Sequence, residues 1–110
     1  MDKNFYITTP IYYPSAKPHM GHAYSSIIAD LFARFKKIQG FNVYFLTGTD
    51  EHGQKIQRSA EKKGMDPLSF CDEISKTFKD LSKTLNLSNN DFIRTTEKRH
   101  AKSVQHLWNI

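Results

Sequence analysis

Two histidines, His19 and His22, flank Gly21 in the run AKPHMGHAY, just ahead of an apolar helical pattern. Residues three apart at a helix start present their side chains on nearly the same side of the first turn. A helix N-terminus adds free N–H groups and a partial positive charge. Two imidazole donors at that point make a cradle for phosphate. Gly21 has no Cβ, so a flat ring can lie directly on its backbone. His19, Gly21 and His22 together describe an ATP site that handles base and phosphates at once. A second cluster, TDEHG at 49–53, holds three consecutive ionisable residues, Asp50, Glu51 and His52. A carboxylate there could hold an ammonium group or a metal. Consecutive side chains diverge, which argues against one tight metal site and for one of the three facing inward. No metal is assigned to the chain's own residues.

The elements that must position these groups follow from the pattern. NFYITT is aromatic and β-branched, stops at Pro10 and predicts a strand. PIYYPSAKPH has three prolines in ten residues and predicts a shaped loop. From Gly21, residues Ala23, Tyr24, Ile27, Ile28, Leu31, Phe32, Phe35 and Ile38 recur at helical spacing. Ser25, Ser26, Asp30, Arg34 and Lys37 would form the wet face, with Asp30 and Arg34 paired there. Gly40 supplies the left-handed stop. NVYFLT is apolar from Val43 to Leu46 and predicts a strand covered on both faces, hence a parallel sheet. A short helix should end at Gly64. The next is capped by Asp66 with Pro67 in its first turn. Its stripe is Leu68, Cys71, Ile74, Phe78, Leu81 and Leu85, so Cys71 reads as core filling. After the turn LSNND, FIRTT reads as extended, and Thr96 as the cap of a last helix.

The order strand, helix, strand, helix, helix, strand, helix is that of an α/β protein, the first half of a Rossmann-like parallel nucleotide-binding fold. Parallel strands put their strand-to-helix loops at one edge, the carboxyl edge where such sheets bind ligands. That step makes His19, His22 and Asp50 neighbours.

Composition sets the frame. The chain has 110 residues, 16 Lys and Arg against 11 Asp and Glu, and a single cysteine, so no internal disulfide can form. The basic excess permits a polyanionic partner without demanding one. No basic region followed by an apolar run opens the sequence, and no stretch nears the ~18 apolar residues of a membrane span. A cytoplasmic protein with no membrane partner is expected.

PHMGH resembles the HIGH signature of class I aminoacyl-tRNA synthetases. TTPIYYPSAKPHMGHAY with FLTGTDEHGQKI, and FIRTT followed by RH and LW, are similar to the methionyl-tRNA synthetases among them. The resemblance runs nearly end to end. It implies ATP-dependent activation of L-methionine to methionyl-adenylate, then transfer to tRNA(Met), the initiator included. It implies catalytic roles for His19 and His22, a methionine pocket lined by Ile11 and Tyr13, and an ammonium-binding role for Asp50. Mg²⁺ would accompany ATP, while the zinc of some members belongs to an insertion not found here. Residues 1–110 would be the N-terminal part of the catalytic domain. The rest of the nucleotide fold, the connective insertion, the KMSKS loop and the anticodon-binding domain are absent, so the 110 residues alone are expected to be inactive. Their apolar helix faces expect partners. Two other readings stay open: a non-enzymatic remnant that binds nucleotide or RNA, and another HxGH nucleotidyltransferase. Oligomeric state stays open too.

Overall fold

The computed structural model describes residues 3–110. Strand β1 (Asn4–Thr8) leads through a long loop to α1 (Met20–Ile38), then β2 (Asn42–Thr49), α2 (Gln54–Lys62), α3 (Pro67–Thr84), β3 (Asp91–Arg94) and α4 (Lys98–Trp108). The three strands form one parallel sheet in the order β1-β2-β3, with Tyr6 opposite Tyr44 and Thr47 opposite Phe92. All three therefore end at one edge, and the loops 9–19, 50–53 and 95–97 leave from it.

Each helix starts and stops where its local chemistry says. Asp66 accepts from the Ser69 N–H and Pro67 occupies the first turn of α3. Gly40 and Gly64 take positive φ after α1 and α2, a conformation that costs glycine nothing.

Both α1 and α3 cover the same face of the sheet. Phe45 packs with Ala29 and Ala33 of α1. Phe92, in line with Thr47 on that face, packs against the cluster of Tyr12, Ile56, Phe70, Ile74 and Phe78. Two right-handed crossovers that step the same way along a sheet require this arrangement. The other face is open. Tyr6 and Tyr44 stack on it at 6.1 Å between ring centres, and Tyr44 is 45% exposed. The two-sided burial expected of β2 is thus a one-sided burial, confined on the open face to its carboxyl-terminal residues.

Helix α1 corrects a second expectation. Its small residues Ala29 and Ala33 are buried against the sheet and Ser26 against Tyr12, whereas Tyr24, Ile27, Leu31, Phe32, Phe35 and Ile38 are exposed. Small side chains let helix and sheet approach closely, so they take the contact, and the broad apolar stripe turns outward. Ser26 and Asp30 are accordingly not on a wet face. Asp30 pairs with Arg34 at 2.8 Å as expected, but it also accepts from the N–H and hydroxyl of Ser88 at 2.7 and 2.5 Å. Burial opposes its ionisation, yet these bonds outweigh it and hold its carboxyl below the usual range. Cys71 is buried core, as read, and burial pushes its thiol up to about 11. Thr96 does not cap α4. Glu97 stands at that position, and the Thr96 hydroxyl is committed to Glu51.

Candidate nucleotide and amino-acid site

The loop after β1 is tied to the end of β2 by backbone bonds. Tyr12 N–H donates to Gly48 O at 2.9 Å, and Asp50 N–H donates to Tyr12 O at 2.8 Å. Tyr12 is itself buried, stacked on Phe78 at 4.8 Å and edge-on to His22 at 5.5 Å. Ser26 Oγ donates to His22 O at 2.7 Å, so its contact with the Tyr12 hydroxyl has Tyr12 as donor. One residue therefore links the Asp50 backbone to the His22 ring, and the two turns share a rim.

His19 is the N-cap of α1 and lies outside its first turn. The two rings stack at 3.9 Å between centroids, 30° from parallel. Their Nδ1 atoms form a reciprocal cap: His19 Nδ1 accepts from Gly21 N–H, and His22 Nδ1 accepts from His19 N–H, both at 3.0 Å. The pair does with imidazoles what Ser and Glu do in an ordinary capping box. An Nδ1 that accepts carries no proton, so the neutral ring must carry it on Nε2. Burial, then the neighbouring His19, lowers the His22 pKa from its ordinary value.

Gly21 has a second reason to be bare. A Cβ there would stand 2.9 Å from His19 Cε1. The space is first of all room for the imidazole of His19.

Beside the pair lies a cleft of about 330 Å³ lined by Tyr13, Ser15, Ala16, Lys17, His19, His22 and Lys55. Its charged groups are all basic. Lys55 was not singled out from sequence, although it follows TDEHG by two positions, in the first turn of α2, and the edge argument extends to it. Of the predicted methionine-pocket residues, Tyr13 is half-buried and lines this cleft, whereas Ile11 is 46% exposed and does not. Asp50 is half-buried at the rim, also outside the cleft lining. The inward-facing residue of TDEHG is Glu51, 4% exposed. Gly53 has φ 125°, and a Cβ on it would stand 2.5 Å from the Tyr13 hydroxyl.

Among the described residues no group of three His, Cys, Asp or Glu is placed to hold a metal ion, and no helix is long and apolar enough to cross a membrane. The cleft offers imidazole and ammonium groups and no carboxylate, a donor set that does not suit Mg²⁺.

The family model of tRNA synthetases class I (M) matches residues 5–110. The mitochondrial methionine–tRNA ligase of Takifugu rubripes is 56% identical over 109 residues, 99% of this chain and 18% of the relative. That of Halalkalibacterium halodurans is 58% identical over 106 residues, 96% of this chain and 16% of the relative. The methionyl-tRNA synthetase of Mycobacterium tuberculosis, bound by methionyl-adenylate, superposes with a TM-score of 0.94 at 43% identity, over 97% of this chain and 21% of that one. The chain spans about a fifth of the length of the proteins it matches.

Proposed function

The chain belongs to the class I tRNA synthetases, in their methionine-specific group, and from that premise we propose that it carries the ATP-gripping and amino-acid-gripping turns of a full-length methionine–tRNA ligase, with residues 1–110 the N-terminal part of the catalytic domain. The reaction is activation of L-methionine by ATP, then transfer of the methionyl group to tRNA(Met). A methionine carboxylate oxygen attacks the α-phosphorus, and the bond to pyrophosphate breaks. The carboxylate is ionised at neutral pH, so no base is required. The demand is for donors already aimed at the phosphate oxygens.

The observation that carries this reading is the reciprocal cap. Spending both Nδ1 atoms on backbone N–H groups leaves two Nε2–H donors on rings held rigidly against each other. Donors fixed before the reaction need no reorganisation during it. In this reading His19 and His22 stabilise the phosphate oxygens, with Lys17 and Lys55 adding positive charge along the same cleft. Gly21 leaves the backbone low for the base. Mg²⁺ would come with ATP and neutralise phosphate charge, since the chain's own groups in the cleft do not suit it. Asp50 takes the α-ammonium in a charge-assisted hydrogen bond, and Tyr13 and Ile11 supply apolar wall to the thioether. The Met-AMP in the Mycobacterium tuberculosis structure is the product of such a site.

Methionine-dependent ATP–pyrophosphate exchange tests the reading. The full-length enzyme should catalyse it, and the 110-residue chain should not. Exchange stimulated by another amino acid in place of methionine would overturn the assignment.

A further inference from the structure

A buried side chain held by four hydrogen bonds lies next to Asp50 and has no role in the chemistry above. Glu51 is sequestered, its carboxylate wholly so. Arg94 grips it with two bonds, Nε to Oε2 at 2.7 Å and Nη2 to Oε1 at 2.8 Å. Thr49 Oγ1 donates to Oε2 at 2.6 Å and Thr96 Oγ1 to Oε1 at 2.9 Å. Its backbone is held as well: the N–H donates to Thr95 Oγ1 at 2.7 Å, and the carbonyl accepts from Cys71 Sγ at 3.9 Å. Every polar atom of one residue is thus committed, to partners on β2, β3, α3 and the turn from β3 into α4. Arg94 extends the tie to Asp72 on α3 at 2.6 Å. Above all the Glu51 bonds, which outweigh its burial, raise the Arg94 pKa further above its already high value.

A buried ion pair is poor value as a source of stability, because an apolar replacement often does as well. What a bidentate, fully satisfied pair supplies is a single geometry. Here that geometry concerns a turn whose consecutive side chains point opposite ways. Fixing Glu51 inward fixes Asp50 on the other side, at the rim where its N–H is bound to Tyr12 O.

We propose that Glu51, clamped by Arg94, Thr49 and Thr96, is a positioning residue that sets Asp50 for the α-ammonium of the amino acid. The inference rests on the reading of Asp50 given above. It assigns amino-acid affinity to residues on β2, β3 and the turn after β3 that touch neither substrate, and it separates that affinity from the ATP side, which is held by the histidine cap.

Exchange kinetics of the full-length enzyme carrying Glu51→Gln, Thr96→Val or Asp50→Ala test it. Glu51→Gln removes the charge with little change of shape and should raise the methionine KM about tenfold, with the ATP KM within about twofold of wild type. Thr96→Val keeps the ion pair and deletes one bond onto it, so it should fold normally and raise the methionine KM about threefold. A normal methionine KM in Thr96→Val and in folded Glu51→Gln, or an equal rise for both substrates, overturns the positioning role. If Glu51→Gln does not fold, Thr96→Val decides alone. Asp50→Ala with a normal methionine KM would instead overturn the reading of Asp50 itself.

Discussion

At the scale of single residues, the site is built by hydrogen bonds that use up one end of a group and thereby aim the other. The histidine pair is the clearest case, and it makes a pH prediction. The His22 pKa is lowered in the fold, so charging that ring costs the folded chain more than the unfolded one. Stability should be level above the ordinary histidine range, near pH 6.5, and should fall as pH drops through the lower folded value. Thermal midpoints across pH 5–8 check this, and the acid-side fall should be smaller in His22→Ala. Losing the His19 cap by His19→Ala should cost about 1 kcal/mol of stability. Much of this was legible in sequence, because two histidines around a glycine at a helix start are a local pattern. The reciprocal cap was not, since either ring could have pointed outward. Glu51 was hidden for a different reason. Nothing local tells Asp50, Glu51 and His52 apart, and the choice is made by Arg94, 43 positions away.

At the scale of elements, alternation of strand and helix gave the order of the fold, and local capping gave the helix ends. Which face a helix buries was another matter. Periodicity finds the apolar stripe of α1 but does not say what it meets. The sheet takes Ala29 and Ala33 instead, and Ser26 meets Tyr12. Phe32 and Phe35 are about half exposed, so replacing either with Gln should change the stability of the 110-residue chain by no more than about 0.5 kcal/mol, read by urea unfolding. Phe45→Ala, at a fully buried position on the covered face, should cost about 3–5 kcal/mol. Gly48 lies where β2 and β3 run close together. A Cβ there would stand 1.9 Å from Ile93 O, so Gly48→Ala should separate β2 from β3 and cost at least about 3 kcal/mol. Thr96 was misread as a cap because Ser and Thr serve caps and buried acceptors equally well, and only the tertiary structure shows which acceptor is near.

At the scale of the whole molecule, a one-sided sheet gathers its three outgoing loops at one rim, and the two turns of the proposed site meet there through Tyr12. The division of labour between them is the central claim: the imidazoles act on the phosphate in the transition state, and the carboxylate holds the amino acid in the ground state. Single-turnover adenylate formation in the full-length enzyme, with methionine and ATP varied separately, reads both. His22→Ala should slow the step by about a hundredfold or more at saturating substrates, with methionine affinity nearly unchanged, while Asp50→Ala should weaken methionine binding. Loss of ATP affinity alone in both variants would contradict the account.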